Sequence, residues 1–219
     1  MTEKIRVLIC DDHTLFREGM KAILEQEPSV EVVGEAGDGR EAIALAKRVN
    51  PDVVLMDISM PDLSGFEATS RILQSSRKTK VLVLTMYEEE ETIVRCLNAG
   101  ASGYVLKDTP RSHLLHAIDA VHGGGQYLSS RALSKVVARY VKGNEYPVTA
   151  YDRLSARERE VLKLLADGLA LKEIATKLTL SVKTVDAHKT NLMRKLDLHD
   201  RAALIKYAIE QRVIRVPSL

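Results

Sequence analysis

Short apolar runs alternate with amphipathic segments five times within residues 1–122 of this 219-residue chain. The apolar, strand-like runs are 5–9, 30–33, 53–56, 81–85 and 103–107. The segments with helical spacing that follow them are 14–27, 39–48, 66–74, 90–98 and 110–122. Because a parallel strand needs a crossover, usually a helix, before the next strand, this alternation predicts an α/β fold with helices on both faces of a sheet. We expect a five-stranded, doubly wound parallel sheet in the flavodoxin-like order 2-1-3-4-5.

Three glycines at 123–125 end this region, and the pattern then changes. No strand pattern follows residue 153, and four short helices are predicted at about 156–167, 171–178, 182–196 and 200–212. The sequence therefore predicts an α/β domain at 1–124, a linker at 125–152 and an all-α, four-helix domain at 153–219. Within the linker we expect one helix at about 129–141 and a polar break at 143–147.

Charge is distributed unevenly along the chain. Residues 1–150 contain 18 Lys and Arg against 21 Asp and Glu, whereas residues 151–219 contain 14 against 9. A basic C-terminal part indicates a polyanionic partner for that part alone.

The first residues pass directly into a strand pattern, and no apolar run approaches the roughly 18 residues of a membrane span. Cys10 and Cys96 lack the spacing of metal ligands and lie in apolar or helical contexts. Buried free thiols in a reducing compartment are therefore expected. These features predict a cytoplasmic protein with no membrane partner.

Acidic residues follow two of the predicted strands. Asp11 and Asp12 end the first strand, and Asp57 ends the third, which is an unbroken apolar run before a turn at Pro61 and Asp62. The first and third strands are neighbours in the expected order, so the three carboxylates converge at the edge of the sheet where such folds bind ligands. Three like charges in one cleft favour a hard divalent cation with oxygen ligands. We expect Mg²⁺ there.

Thr85 and Lys107 end the fourth and fifth strands and bring a hydroxyl and an ammonium group to the same edge. A carboxylate nucleophile, a magnesium ion, a hydroxyl and a lysine together indicate phosphoryl transfer onto Asp57. Each residue also has a structural interpretation, with Asp12 as a helix cap, Thr85 as a turn residue and Lys107 as a solvated charge. Five such residues at successive strand ends favour the functional interpretation.

The predicted C-terminal helices include a tight helix pair. Ser155 and Glu158 form a capping-box pattern at the start of the first helix, and Ser181 is a good cap for the longest one. The apolar stripe of that longest helix contains Val182, Val185, Leu192, Met193 and Leu196. Its opposite face contains Lys183, Asp186, Ala187, Thr190 and Arg194. A small, polar and basic face suits the major groove of DNA, although a solvated amphipathic helix has the same spacing.

Residues 1–122 resemble the receiver domain of bacterial two-component response regulators. The resemblance implies that Asp57 is the phosphoacceptor, converted to aspartyl phosphate by a sensor histidine kinase. It also implies that Asp12, Asp57 and the Ser59 backbone carbonyl bind magnesium directly, and Asp11 through water. Thr85 and Lys107 match the residues that contact the phosphoryl group, and Tyr104 matches an aromatic that reorients on activation. Many receivers have proline after the lysine, where this chain has Asp108.

Residues 153–216 resemble the LuxR-type helix-turn-helix through Arg-Glu-Arg-Glu-Val-Leu at 157–162, Lys-Glu-Ile-Ala at 172–175, Thr-Val-Asp-Ala-His at 184–188 and Arg-Lys-Leu at 194–196. The whole chain is thus similar to NarL/FixJ-family response regulators. The implied contacts with double-stranded DNA are made by Lys172, Ser181, Lys183, Thr184, Asp186, Ala187, His188, Thr190 and Lys195. The resemblance also implies a homodimer on phosphorylation, with Leu204, Tyr207 and Ala208 at its DNA-bound interface. Ala170-Leu171 and Asp186 depart from the pattern common in this family.

The function expected from these features is transcription regulation controlled by phosphorylation, and not catalysis of a metabolic reaction. One alternative is a DNA-binding regulator whose receiver is never phosphorylated, against which the complete acidic set argues. The other is an aspartyl-phosphate phosphohydrolase. Such enzymes usually need a second acid two residues after the nucleophile, and Ser59 occupies that position here.

Overall fold

The computed structural model describes residues 3–141, 150–151, 153–211 and 213–214. The polar break predicted at 143–147 lies outside these residues. The chain divides into two compact units, Met1–Glu145 and Tyr146–Leu219.

The first unit contains a parallel sheet whose strand order confirms the flavodoxin-like prediction and adds one strand. The strands are β1 (Ile5–Cys10), β2 (Val30–Ala36), β3 (Val53–Met56), β4 (Lys80–Thr85), β5 (Gly103–Leu106) and β6 (Tyr127–Leu128). Their order is β2-β1-β3-β4-β5-β6, and every pairing is parallel. Because the order reverses between β1 and β3, the carboxyl ends of these two strands frame the crevice where doubly wound sheets bind ligands.

Helices cover both faces of this sheet. They are α1 (Thr14–Leu24), α2 (Gly39–Val49), α3 (Gly65–Ser75), α4 (Glu90–Asn98), α5 (Arg111–His122) and α6 (Ser130–Val141). Alternate residues of β1 face the helical layers on the two sides of the sheet. Val7 and Ile9 pack with α1 and α5, whereas Leu8 and Cys10 pack with α2 and α3. Strands buried on both faces explain why the sequence shows unbroken apolar runs.

The segment from β6 to α6 packs on the sheet edge beside β5 and α4, although only its helix was predicted. Leu128 pairs with Tyr104 of β5, and Ser129 N donates to Tyr104 O at 3.1 Å. Ala132 of α6 is buried in the same cluster as Tyr104 and Ile93 of α4. The first part of the predicted linker is therefore an integral part of the first compact unit.

The second unit is a four-helix domain, as predicted. Its helices are α7 (Ala156–Ala166), α8 (Leu171–Leu178), α9 (Val182–Leu196) and α10 (Arg201–Glu210). Ser155 caps α7 in the expected box with Glu158, and Ser181 Oγ accepts from Thr184 N at the start of α9. One continuous core joins all four helices through residues such as Leu162, Ile174, Val185 and Leu204. Among the described residues, no helix has the length and apolar character that crossing a membrane requires.

Candidate phosphorylation site and nucleic-acid interface

Asp57 lies directly after β3, at the centre of the carboxyl edge of the sheet. The pairing of β1 with β3 ends with Cys10 opposite Met56, and Asp57 N donates to Cys10 O at 2.8 Å. This register brings Asp11 beside Asp57, as the sequence predicted. The Asp57 residue is only 2% exposed. A buried carboxylate at a strand end needs partners for its charge, and the neighbouring side chains supply them.

Lys107 places an ammonium group in this crevice. Its Nζ lies 2.9 Å from Asp57 Oδ2 and 2.5 Å from Asp11 Oδ2, and its side chain is 6% exposed. Lys107 N also donates to Thr85 O, which fixes the end of β5 against β4. The ring of Phe16 on α1 lies 4.6 Å from the ammonium group and reduces its contact with solvent. Lys107 is therefore held within reach of any group attached to Asp57.

Four side chains around this lysine could hold a cation together. Asp11, Asp12, His13 and Asp57 each offer one ligand atom, and these atoms all lie within 4.8 Å of one another. Carboxylate oxygens at strand ends are suitable ligands for a divalent cation, so the residues present fit the predicted metal. The ring of His13 is exposed, and its Nδ1 lies close to both Asp11 and Asp12.

The loop after Asp57 is fixed by short backbone contacts. Ser59 N donates to Asp57 Oδ1 at 3.3 Å, and Gly65 N donates to Ile58 O at 3.0 Å. Gly65 is the first residue of α3 and packs directly against the backbone of Asp57 and Ile58. The loop that carries Ser59, the predicted carbonyl ligand, is thus held between β3 and α3.

Thr85 and Tyr104, the two predicted switch residues, are connected through the loop after β4. Tyr87 N donates to Thr85 Oγ1 at 3.4 Å, and Tyr104 OH donates to Tyr87 O at 2.7 Å. Both switch residues are fully buried. Beyond Tyr87, Lys135 of α6 donates to Glu88 O at 2.7 Å. A continuous set of contacts therefore runs from the end of β4 to α6, and sequence reasoning missed its last part.

Asp108, which replaces the proline of many receivers, also contacts α6. Arg131 Nη1 lies 3.2 Å from Asp108 Oδ2 and 3.1 Å from Glu88 Oε1. These ion pairs are exposed, and each contributes little to stability by itself. Their position matters more, because they connect α6 to the loops after both β4 and β5.

Both cysteines are buried and free, as predicted. Burial raises the pKa of the Cys10 thiol, and the nearby Glu41 and Asp11 carboxylates raise it further. Burial likewise raises the pKa of Cys96. Neither thiol has the low pKa of a reactive cysteine, although Cys10 lies next to the acidic cluster in the chain.

The residues of the predicted nucleic-acid face of α9 lie on the side of the helix away from the core. Lys183, Asp186, Ala187 and Thr190 are exposed, and Thr184, His188 and Lys189 are half-buried. Val185, Leu192 and Leu196 anchor the helix in the core. Val182 was predicted to belong to this apolar stripe but is 42% exposed at the first turn of α9. Its methyl groups are therefore available at the same surface as Lys183 and Asp186.

Lys195 differs from the other predicted DNA contacts, because its ammonium group already has partners within the domain. Its Nζ lies 2.6 Å from Glu158 Oε2 and 3.3 Å from Arg153 O. Burial raises the pKa of the Glu158 carboxyl, but hydrogen bonds from Lys195 and Ser155 outweigh this effect and lower it overall. The contact connects α9 to the start of α7 and gives Lys195 a structural function.

Two of the three predicted dimer contacts do not lie on the surface. Leu204 is 2% exposed and Ala208 is fully buried, and both belong to the core of the second unit. Both side chains are used in the core of their own domain and offer almost no surface to a second copy, so the structure gives no support for them as dimer contacts. Tyr207 is half-buried, and Ile209 is the large apolar residue of α10 that is exposed.

Helix α8 starts without a side-chain cap at Ala170-Leu171, where this chain differs from the pattern common in its family. Ala170 has the extended backbone of a cap residue but no side-chain acceptor, so the first-turn N–H groups receive no cap bond from it. Glu173 Oε2 accepts from Ala170 N at 2.6 Å. Half of a capping box is therefore present.

Comparison with known proteins agrees with this architecture. Residues 7–119 match the family model of the response regulator receiver domain, and residues 152–208 match the bacterial regulatory proteins of the luxR family. The chain therefore belongs to the two-component response regulators with a LuxR-type DNA-binding domain, and its function is the regulation of transcription.

Individual relatives span nearly the whole chain. The oxygen regulatory protein NreC of Staphylococcus carnosus is 40% identical over 96% of this chain and 99% of its own length. Among solved structures, RcsB from Salmonella enterica serovar Typhimurium, bound to the rprA promoter with the phosphomimetic BeF₃⁻, is 29% identical with a TM-score of 0.60. That match covers 94% of this chain and 98% of RcsB. The response regulator ChrA of a haem-sensing two-component system is 36% identical, with a TM-score of 0.53 over 96% of this chain and 99% of ChrA.

Proposed function

We propose that Asp57 accepts a phosphoryl group from a sensor histidine kinase, with Mg²⁺ held by Asp11, Asp12, Asp57 and the carbonyl of Ser59. The observation that carries this proposal is the burial of Asp57 with Lys107 Nζ at 2.9 Å from Oδ2. A buried carboxylate in a ready ion pair has an oxygen positioned for attack and a cation in place for the charge that develops.

In the proposed reaction, an Asp57 carboxylate oxygen forms a bond to phosphorus while the bond from phosphorus to the kinase histidine nitrogen breaks. The metal ion would shield the negative charge of the phosphoryl oxygens from the carboxylates. Lys107 moves from the carboxylate toward a phosphoryl oxygen, which its flexible stem permits. Thr85 supplies a hydroxyl to another phosphoryl oxygen, at the end of the adjacent strand β4.

Removal of divalent cations tests this step directly. Wild-type protein incubated with acetyl phosphate and Mg²⁺ is expected to become phosphorylated, since a small acyl phosphate can replace the kinase as donor. Excess EDTA is expected to reduce labelling by at least tenfold, because three clustered carboxylates repel the incoming phosphoryl group. Phosphate-affinity electrophoresis measures both samples. Equal labelling with and without EDTA would exclude a role for the cation.

The contacts beyond Thr85 suggest how phosphorylation is communicated. If the Thr85 hydroxyl turns toward the phosphoryl group, it loses its hydrogen bond from Tyr87 N. Tyr87 in turn accepts a hydrogen bond from Tyr104 OH through its backbone oxygen, so the change reaches Tyr104. The same loop is fixed to α6 through Glu88. Because α6 leads along the chain to the DNA-binding unit, we propose that it transmits the change, together with the surface of α4 and β5.

In the cytoplasm, the phosphorylated protein would form a homodimer that binds double-stranded DNA through α9. RcsB, a relative with 30% identity, has been solved as a complex with DNA. The proposed contacts are those of the exposed or half-buried residues Lys172, Ser181, Lys183, Thr184, Asp186, Ala187, His188 and Thr190. Val182 joins them, because an exposed aliphatic side chain can contact a thymine methyl group. Tyr207 and Ile209 are the proposed α10 contacts of the dimer.

Asp186 and Lys183 are expected to affect DNA binding in different ways. A carboxylate near the start of a groove helix can accept from a cytosine N4 donor, so Asp186→Ala should relax selectivity at one position per half-site by about 1–3 kcal/mol. Lys183→Ala should weaken binding to all sequences alike. It should also lower the slope of log binding constant against log salt concentration by about one. Selection from a random duplex library measures the first effect, and salt titrations measure the second.

Glu210→Ala is a suitable control, because Glu210 is an exposed acid on α10 rather than on α9. Its base preference should equal that of the wild type. If Asp186→Ala also kept the wild-type preference, Asp186 would read no base. It would then only influence non-specific binding through its charge.

A further inference from the structure

His13 occupies the cap position of α1, but its side chain does not cap the helix. No side-chain hydrogen bond reaches the first-turn N–H groups, where Ser, Thr, Asp or Asn would normally provide one. The ring instead lies over the acidic cluster. Its Nδ1 is 3.0 Å from Asp12 Oδ1 and 3.1 Å from Asp11 Oδ1, while its backbone N donates to Asp11 Oδ1 at 2.9 Å.

These distances match the ligand spacing around a single metal ion. Adjacent ligands of an octahedral ion with bonds of about 2.1 Å lie about 3.0 Å apart, and opposite ligands about 4.2 Å apart. The Nδ1 distances to Asp11 and Asp12 equal the first value. The ligand atoms of the whole set, including Asp57, lie within 4.8 Å of one another, slightly more than the distance between opposite ligands. The ring is 54% exposed, which places it at the solvent side of the cluster.

We propose that His13 is a direct ligand of the divalent cation in this site and gives the site a preference for Mn²⁺ over Mg²⁺. The inference rests on the proposed function, in which the acidic cluster holds a divalent cation during phosphoryl transfer. Magnesium favours oxygen ligands, whereas an imidazole nitrogen increases the affinity for transition metals. Nδ1 coordinates through its lone pair, so the ring hydrogen would lie on Nε2 in the metal-bound form.

Pulsed electron paramagnetic resonance of the full-length protein with Mn²⁺ tests the proposal. Nitrogen bound directly to Mn²⁺ produces a ¹⁴N modulation of the electron spin echo, which is expected in the wild type and absent in His13→Asn. His13→Asn should also lower the Mn²⁺ affinity about tenfold or more. The Mg²⁺ affinity, measured by competition, should change less than about threefold. His113→Asn, at an exposed histidine of α5, is the matched control and should keep both wild-type values.

The outcomes separate this inference from the proposed function. If Mn²⁺ binds, is displaced by Mg²⁺ and is lost in Asp57→Asn, but shows no ¹⁴N modulation, His13 is not a ligand and the metal-assisted phosphorylation still stands. A modulation that persists in His13→Asn also overturns the role of His13. If neither ion binds, both the inference and the proposed metal site fail.

Discussion

Asp57→Ala is expected to abolish the response of this protein to phosphoryl donors. The wild type, treated with acetyl phosphate or with beryllium fluoride and Mg²⁺, should shift from monomer toward dimer. The variant should show no shift, because alanine leaves no carboxylate oxygen at the end of β3 to accept the phosphoryl group. Asp11 does not occupy this position, since it follows the neighbouring strand β1. Light scattering measures the mass of both proteins with and without the donor.

Asp62→Asn is the matched control for this experiment. Asp62 lies in the same loop, five residues after Asp57, and its backbone has a φ of 60°. Asparagine tolerates this left-handed conformation, so the variant removes an acid without straining the loop. It should respond as the wild type does. A dimer shift that survives in Asp57→Ala would contradict the assignment of the phosphoacceptor.

Much of the first unit could be predicted because its strands are buried on both faces. A run such as Val53–Met56 shows no alternation, which is the pattern of a central parallel strand covered by two helical layers. The convergence of Asp11 and Asp57 followed from strand order alone. Thr85, Lys107 and Tyr104 were likewise placed at strand ends or within strands by their position in the sequence.

Features that depend on few residues could not be predicted in this way. Strand β6 has only Tyr127 and Leu128, which is too short for any periodicity to show. The packing of α6 depends on single side chains, Ala132 in the core and Arg131 and Lys135 at the loops. A spacing of apolar residues predicts a helix but does not identify the surface that it contacts.

In the C-terminal unit, the sequence did not predict which way some apolar side chains face. Leu204, Tyr207 and Ala208 of α10 were predicted as dimer contacts, but an apolar pattern cannot separate contacts within one chain from contacts between two. Leu204 and Ala208 face the core that the four short helices share. Val182 shows the reverse case, since the first turn of a helix extends beyond the core that anchors the rest.

Asp108, which stands where many receivers have proline, forms an ion pair with Arg131 of α6. A proline at this position would leave Arg131 with Glu88 as its acidic contact, whereas Asp108 adds a second one. The loop next to Lys107 and the helix α6 are thereby connected by charge. Family resemblance locates the substitution, but only the fold shows which residue it faces.

Gly65→Ala is expected to damage both the stability and the phosphorylation of the first unit. A Cβ at this position would lie 2.0 Å from Asp57 O and 2.7 Å from Ile58 Cα. Both are backbone atoms that cannot rotate away, so either α3 or the loop after β3 must move. We expect the free energy of unfolding to fall by about 3 kcal/mol, at the upper end for overpacking in a core. A displacement of Asp57 by about 1 Å should also slow labelling by acetyl phosphate about 100-fold.

Gly19→Ala provides a control with the opposite sign. Gly19 lies within α1, and a Cβ there would meet nothing within 4 Å. Alanine in an open helical position should stabilise the unit by about 0.5–1 kcal/mol, because glycine loses more backbone entropy on folding. Denaturant unfolding of the 1–145 unit, followed by circular dichroism, compares the two variants with the wild type. If Gly65→Ala were as stable as Gly19→Ala, α3 would not start against the phosphorylation loop, and the rigid support inferred for Asp57 would be wrong.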